Sequence, residues 1–280
     1  MQIDEQRIKE VIDSITEEVK TNLSSESKEY IRFLQQLIEE GIPIPVLTVC
    51  GKGTQEIRFT KYFTYYLDET QLHGLKDKCL KYAFDIEAKE AGLSEDWYKG
   101  CNVYAEYNLG TLPGYNVNNY VDILIQGEGF VLCIEQKLFS GESNTNESNL
   151  GQLNRYSLAM AKNENFKDLQ FIKVYLTPKE SIPTTSNDWI PMSHETIILR
   201  LLPLMSDENL SLAAVENVKR LLLDFILGPY GSTTKVINQL HTLSKEVVKN
   251  GFPVSKTKAF IDAIKENHLL LEILRGGKYK

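Results

Sequence analysis

The segment VDILIQGEGFVLCIEQKLF, residues Val121–Phe139, is the most informative part of this sequence. Two apolar runs flank a Gly-Glu-Gly triplet, which is the pattern of a β-hairpin with a tight turn. Three charged residues interrupt the runs: Asp122 lies in the first, and Glu135 and Lys137 lie at the end of the second. Strand interiors disfavour Asp, Glu and Lys, so a chemical role is the first explanation to consider.

The predicted turn fixes the alignment of these charges. A two-residue turn at Glu128 and Gly129 sets Asp122 directly opposite Glu135, with the two side chains on one face and about 5 Å apart at Cβ. Lys137 follows Glu135 by two residues and therefore points the same way. A three-residue loop would shift this register by one residue, and strand bending or a bulge can repair such a misalignment.

Two carboxylates held face to face repel each other unless a cation lies between them. A hard divalent ion such as Mg²⁺ or Mn²⁺ suits oxygen ligands of this kind and keeps several waters. Such an ion lowers the pKa of its bound water and stabilises the charge that develops during attack on a phosphate. Lys137 adds a positive charge that positions the attacking hydroxide or counters the phosphate. We expect this lysine to face solvent.

The helix predicted after the hairpin, LGQLNRYSLAMAK, supplies one more candidate. Gln152 at its start has an amide that orients a water or a phosphate oxygen. Tyr156 lies one turn later on the same helix face. The four residues predicted to be catalytic are therefore Asp122, Glu135, Lys137 and Gln152.

The remaining sequence frames this segment with helices. Helical periodicity predicts two N-terminal helices, a third from Thr54 and a fourth from about Gly74, followed by the strand NVYAEYNL. After the hairpin come a polar loop at 140–149, a helix, the strand LQFIKVYLTP and then a mostly helical chain ending in one long helix, SKTKAFIDAIKENHLLLEIL. The predicted organisation is an N-terminal helical segment at 1–50, a mixed α/β core at 51–204 and a C-terminal helical segment at 205–280.

Composition sets broad limits on function. The chain has 280 residues and a net charge of −7, with four scattered cysteines and no CxxC pair. This argues against a zinc site and against a disulfide framework. No run of about 18 apolar residues is present and the N-terminus is acidic, so we expect a cytoplasmic protein without a membrane partner.

The charge is unevenly distributed. Residues 1–49 carry ten acids and five bases, whereas residues 231–280 carry nine bases and four acids. Two basic sets are candidates for phosphate contacts: a core set (Arg58, Lys61, Lys76, Lys78 and Lys81) and a C-terminal set (Lys256, Lys258, Arg275, Lys278 and Lys280). A solvated face on terminal helices is the alternative explanation for the second set.

The order of these motifs resembles that of the PD-(D/E)XK nuclease superfamily. The resemblance rests on Asp122, Glu135–Lys137 and Gln152–Tyr156. It is strongest to a bacterial branch whose core opens with a helix carrying Glu and closes with a YLTP strand. Gln55–Leu80 is similar to that opening and Lys173–Ile197 to that closing segment, so the resemblance covers roughly residues 54–230.

This resemblance implies a restriction-endonuclease-like fold of order α–β–β–β–α–β. It implies that Asp122 and Glu135 hold the metal and that Lys137 is the catalytic lysine. Glu56, on the first core helix, matches a position that sometimes supplies a further metal ligand. The sequence departs from the family pattern at Val121, which stands in place of a proline, and in the long loop before Gln152.

Each of these residues also has a structural explanation. The Asp, Glu and Lys spacing arises often by chance and suits a solvated strand end. Glu56 at a helix start favours the helix dipole, Gln152 suits an exposed helix position, and Tyr156 suits packing. His73 suits a cap on the loop from residue 68 to residue 74.

We therefore expect a nuclease dependent on Mg²⁺ or Mn²⁺, with DNA as the favoured substrate and endonucleolytic cleavage. The resemblance alone suggests a role in bacterial defence against phage or foreign DNA. The alternatives are an inactive nucleic-acid-binding module on the same fold, an RNA-directed nuclease, and an effector regulated by a protein partner on the acidic N-terminal helices. A homodimer is also compatible with the sequence.

Overall fold

A computed structural model of the chain describes residues 5–43, 45–52, 55–112, 118–138, 150–227 and 233–276. The polar loop at 140–149, Thr54, Lys278 and Lys280 lie outside these residues. In chain order the elements are α1 (Glu5–Glu40), α2 (Val46–Val49), α3 (Glu56–Leu67), α4 (Lys78–Glu90), β1 (Asn102–Thr111), β2 (Asn118–Gly127), β3 (Phe130–Gln136), α5 (Gln152–Lys162), β4 (Gln170–Thr177), β5 (Ile190–Ser193), α6 (His194–Leu201), α7 (Leu212–Leu227), α8 (Thr233–Lys249), α9 (Val254–Glu266) and α10 (His268–Arg275).

The chain divides into two compact units. One comprises Met1–Pro43 with Ser232–Arg275, and the other comprises Ile44–Gly231 with Gly276–Lys280. The division into segments 1–50, 51–204 and 205–280 stays a prediction, because compactness does not test which segments carry separate functions.

The first unit is helical, with α1 packed against α8 and α9. The prediction of two N-terminal helices is wrong: α1 runs unbroken for 36 residues, since its sequence contains neither Gly nor Pro to end it. The prediction of a single long C-terminal helix is also wrong. It is divided into α9 and α10 at Asn267, whose side chain donates a hydrogen bond to the Ala263 carbonyl at 2.9 Å.

The second unit contains a five-stranded mixed sheet in the order β1-β2-β3-β4-β5. Strand β2 pairs antiparallel with both β1 and β3, whereas β4 runs parallel to both β3 and β5. The order of α3 and α4, three strands, α5 and β4 confirms the predicted α/β core of restriction-endonuclease-like type flanked by helices. The short strand β5 was not predicted, because Pro191 within it reduces its strand propensity and suits only an edge position.

Helices cover both faces of the sheet. All seven residues of β3 are buried, and alternate residues of a strand point to opposite faces. Val131 and Cys133 share one core cluster with Leu153 and Tyr156 of α5. The alternate residues of β3 face the other side, where α3 packs on β1 and β2.

Helix α4 begins at Lys78, four residues later than predicted, after the left-handed residue Lys76 (φ 54°).

The β2–β3 hairpin has the predicted register. Gly127 pairs with Phe130, so Glu128 and Gly129 form the turn, and the ladder continues to the pair Ile123–Ile134. Gly129 has φ 77°, a conformation that favours glycine. Gly127 is required for a different reason: a Cβ built there would lie 2.1 Å from Cε1 of the Phe130 ring, which is 1% exposed.

We predict that Gly127→Ala lowers the free energy of unfolding by about 1–3 kcal/mol, because the added methyl group overpacks a buried ring. Urea denaturation measures the change, with Glu128→Ala at the exposed turn as the control. A loss no greater than that of the control would mean that Phe130 moves aside freely.

Candidate functional site

The site begins where the hairpin ladder ends. Beyond the pair Ile123–Ile134, the backbone N–H of Gln136 donates a hydrogen bond to Oδ2 of Asp122 at 2.7 Å. A side-chain carboxylate thus takes the place of a strand carbonyl as acceptor. This contact fixes the Asp122 side chain at the end of β3, next to Glu135.

Glu135 and Lys137 form a buried ion pair. Nζ of Lys137 lies 2.6 Å from Oε1 of Glu135, and the two side chains are 12% and 2% exposed. The expectation that Lys137 faces solvent is therefore wrong. Its backbone N–H donates to the Leu176 carbonyl of β4 at 2.9 Å, which extends the pairing of β3 by one residue and holds the side chain over the sheet.

The carboxyl groups of Asp122 and Glu135 lie close enough for each to act on the pKa of the other. Burial and the neighbouring Glu135 raise the pKa of Asp122 well above its usual value. Burial also raises the pKa of Glu135, although Lys137 opposes this rise. Burial alone would lower the pKa of Lys137, but the adjacent Glu135 and Asp122 carboxylates raise it. The predicted convergence of the three charged side chains is observed.

Glu56 is the first residue of α3 and reaches the same place from the other side of the sheet. Its Oε1 accepts a hydrogen bond from the backbone N–H of Leu138 at 2.9 Å. Its charge also acts on the pKa values of Glu135 and Lys137. Glu56 therefore anchors the chain that follows Lys137, and its role as a metal ligand stays a prediction.

Gln152 is the first residue of α5 and is buried, which excludes the alternative of an exposed helix position. Its Nε2 donates hydrogen bonds to Oε1 of Glu135 at 2.8 Å and to the Tyr156 hydroxyl at 2.7 Å. The start of α5 is set by a close approach at Gly151, where a Cβ would lie 2.0 Å from the Thr185 side chain. The sequence motif Gln-x-x-x-Tyr thus orients one oxygen of Glu135.

These donors suit a hard divalent cation. Oε2 of Glu135 is buried and has no hydrogen-bond partner among the described residues, and a buried carboxylate oxygen without a partner is costly. Within the described part of the chain, no three His, Cys, Asp or Glu side chains form a metal-binding group. Lys137 and Gln152 both contact Oε1 of Glu135, and the Leu138 N–H donates to Oε1 of Glu56. The fit therefore rests on Asp122 and Glu135.

Other predicted residues lie elsewhere. His73 is 1% exposed and contacts the backbone through both ring nitrogens, at the Asp68 carbonyl and the Leu75 N–H, which agrees with a loop cap. In the core basic set, Lys78 pairs with Asp207 and Lys81 bonds to the Tyr98 hydroxyl, whereas the other three are exposed. In the C-terminal set, the Arg275 guanidinium stacks on the Tyr30 and Phe33 rings of α1.

One carboxylate near the site was not predicted. Glu106 of β1 lies between the ladder pairs Ala105–Ile123 and Tyr107–Val121, so the register places it across from Asp122. Its charge contributes to the raised pKa of Asp122. The signal that identified Asp122, an acid inside a strand, is equally present in NVYAEYNL.

Comparison with known proteins gives one match. A family model described as the PD-(D/E)XK nuclease superfamily matches residues 45–261, which extends past residue 230, the predicted limit of the resemblance. No curated protein and no solved structure matches the chain. Across the described residues, no helix has the length and apolar character needed to span a membrane.

We predict that, in EDTA, the free energy of unfolding falls as the pH rises above about 4. The usual pKa values of Asp122 and Glu135 are 3.8 and 4.5, and both are raised in the folded protein. The stability that these two groups contribute is therefore fully present below their pKa values in the unfolded chain. It is lost as the pH rises through their pKa values in the folded protein. Asp122→Asn keeps an acceptor for the Gln136 N–H and should flatten this fall, with a gain on the order of 1 kcal/mol near pH 8.

Chemical denaturation at several pH values measures this effect. Glu128→Gln, at the exposed hairpin turn, removes the same charge at the far end of β2 and should follow the wild-type pH dependence. Equal pH dependence for Asp122→Asn and wild type would show that the two carboxylates do not repel each other in the folded state.

Proposed function

The chain belongs to the PD-(D/E)XK nuclease superfamily, and from this premise we propose that it is a metal-dependent nuclease that hydrolyses phosphodiester bonds. The proposed metal ligands are Asp122 and Glu135, with Glu56 as a further candidate. The proposed catalytic groups are these two acids together with Lys137 and Gln152. Supporting this proposal is the convergence of two buried carboxylates and a lysine at the end of one hairpin.

Each side chain has a role that its contacts support. A divalent ion bound at the site would polarise the phosphate and activate a water. Lys137, 12% exposed, holds a positive charge where negative charge develops on the phosphate oxygens. Gln152 fixes the orientation of Glu135 through its 2.8 Å hydrogen bond. Tyr156 in turn holds the Gln152 amide.

Exposed basic residues of α3 suit contacts to the nucleic-acid backbone. Arg58 and Lys61 are exposed, within five residues of Glu56 at the site. Phosphate contacts fix orientation without distinguishing bases. These contacts therefore do not select DNA, which stays our favoured substrate. We extend the proposal to endonucleolytic cleavage of foreign DNA, on the basis of the family resemblance alone.

The decisive experiment incubates the purified chain with plasmid, linear duplex DNA, single-stranded DNA and RNA, each with Mg²⁺, with Mn²⁺ or with EDTA. Conversion of plasmid to open-circular and linear forms, abolished by EDTA, is the expected result. Cleavage of RNA alone would favour the RNA-directed alternative. An absence of cleavage under every condition, with binding retained, would favour an inactive binding module.

We predict that Lys137→Met lowers the cleavage rate on the order of 10²-fold or more, because the variant lacks a charge near the transferring phosphate. In EDTA it should also lose roughly 3 kcal/mol of stability, since the buried Glu135 carboxylate loses its cationic partner. Saturating Mg²⁺ should restore part of that stability. Lys99→Met, at an exposed lysine paired with Asp96, is the control and should change neither property.

Cleavage assays and denaturation in EDTA and in Mg²⁺ provide the two measurements. Full turnover by a folded Lys137→Met protein would remove the lysine from the mechanism.

We predict that replacing Arg58 and Lys61 together with Gln weakens DNA binding and reduces the slope of log affinity against log salt concentration by about 2. The matched control replaces Lys256 and Lys258, which are exposed on α9, with Gln. Fluorescence anisotropy with a catalytically inactive background measures both slopes. A larger change in the control would assign phosphate binding to the C-terminal set.

A further inference from the structure

Glu106 occupies a central position in the strand pair that carries Asp122. The ladder pairs on either side of it join β1 to β2 in an unbroken register. Glu106 lies across from Asp122 between these pairs, and its charge contributes to the raised pKa of Asp122. Asp122 is therefore flanked by a carboxylate on each neighbouring strand, Glu106 on β1 and Glu135 on β3.

The backbone at Glu106 is unusual for a strand. Its φ is 53°, in the left-handed region that residues with a Cβ seldom adopt. The local effect is a rotation of the strand: Tyr104 and Tyr107, three residues apart, have ring centroids 5.4 Å apart. Val121 and Leu124 of β2, also three apart, belong to one core cluster. In both strands, the regular alternation of side chains between the two faces of the sheet is therefore interrupted at the level of Glu106 and Asp122.

Two carboxylate oxygens beside Asp122 are buried without donors. Oε1 of Glu106 is buried and has no hydrogen-bond partner in the part of the chain that the structure describes, and the same holds for Oε2 of Glu135. The Glu135 side chain is 2% exposed. Buried carboxylate oxygens are normally satisfied by N–H donors, by water or by a cation.

We propose that Glu106 is a further carboxylate of the metal site, and that β1 contributes it so that a divalent cation at Asp122 is bound between acids from three adjacent strands. This inference rests on the proposed function, because it assigns a ligand to the same site. The oxygen-only donor set selects a hard ion that keeps several waters, such as Mg²⁺ or Mn²⁺.

A different explanation exists for an acid at this position. Strand β1 lies at the edge of the sheet, and charged residues and bulges on edge strands prevent pairing with other chains. A protective charge has no reason to affect cation binding. The two explanations therefore differ in metal affinity, which is measured without reference to cleavage.

The experiment is isothermal titration calorimetry of the full chain with Mn²⁺ for wild type, Glu106→Gln, Asp122→Asn and the control Glu128→Gln. We expect Glu106→Gln to weaken Mn²⁺ binding on the order of 10-fold or more, Asp122→Asn to weaken it further, and Glu128→Gln to match wild type. In EDTA, Glu106→Gln should unfold at the same temperature as wild type or higher, because it removes a like charge beside Asp122.

The outcomes separate this inference from the proposed function. Mn²⁺ binding that needs Asp122 but is unchanged in Glu106→Gln overturns the role of Glu106 and leaves the proposed function intact. A wild-type protein that binds no Mn²⁺ overturns the metal dependence of the proposed function, and the inference with it. If Glu106→Gln does not fold, Glu106→Asp keeps the charge but withdraws it by one methylene, and unchanged affinity in that variant also overturns the inference.

Discussion

The burial of two carboxylates side by side is the constraint on which the rest of this structure depends. Burial disfavours the charged form of both Asp122 and Glu135, and Glu135 further raises the cost of ionising Asp122. The contacts around them offset that cost by separate means: Lys137 supplies a cation, Gln152 an amide donor and Gln136 a backbone N–H. None of these groups compensates both carboxylates fully, which leaves the site electrostatically incomplete without a further positive charge.

The fold places two more sources of positive potential at this point. Helices α3 and α5 begin at the site, with Glu56 and Gln152 as their first residues. The N-terminus of a helix carries a partial positive charge, worth about 0.3–1 kcal/mol to a nearby anion. Two helix starts on either side of the hairpin therefore stabilise the carboxylate cluster and also favour an approaching phosphate. Gly151 precedes α5 at a close approach to Thr185, where no side chain fits.

Local sequence patterns predicted the parts of the site that depend on short-range geometry. The Gly-Glu-Gly turn determines the register of the hairpin, and a slip of one residue would have moved Asp122 to the opposite face. The spacing of four residues between Gln152 and Tyr156 likewise placed both on one helix face. The burial of Lys137 could not be predicted in this way, because it depends on neighbouring chain segments distant in sequence. The bond from Leu138 to Glu56 joins residues 82 positions apart, and no local pattern specifies such a contact.

The features that local sequence patterns predicted and those that they missed have a common physical origin. Stable folds follow local rules almost everywhere, so places where several rules fail together indicate that something else was selected. Here an acid interrupts β2, an acid and a lysine end β3, and a glutamate with φ 53° interrupts β1, all at one level of the sheet. Each departure alone has a trivial explanation, such as a solvated strand end or a protected edge. Their coincidence does not, because independent compromises would be scattered along the sheet. A shared demand for negative charge at one point accounts for the three acids, and Lys137 offsets part of that charge through its ion pair with Glu135. In the metal-free chain this demand lowers stability rather than raising it.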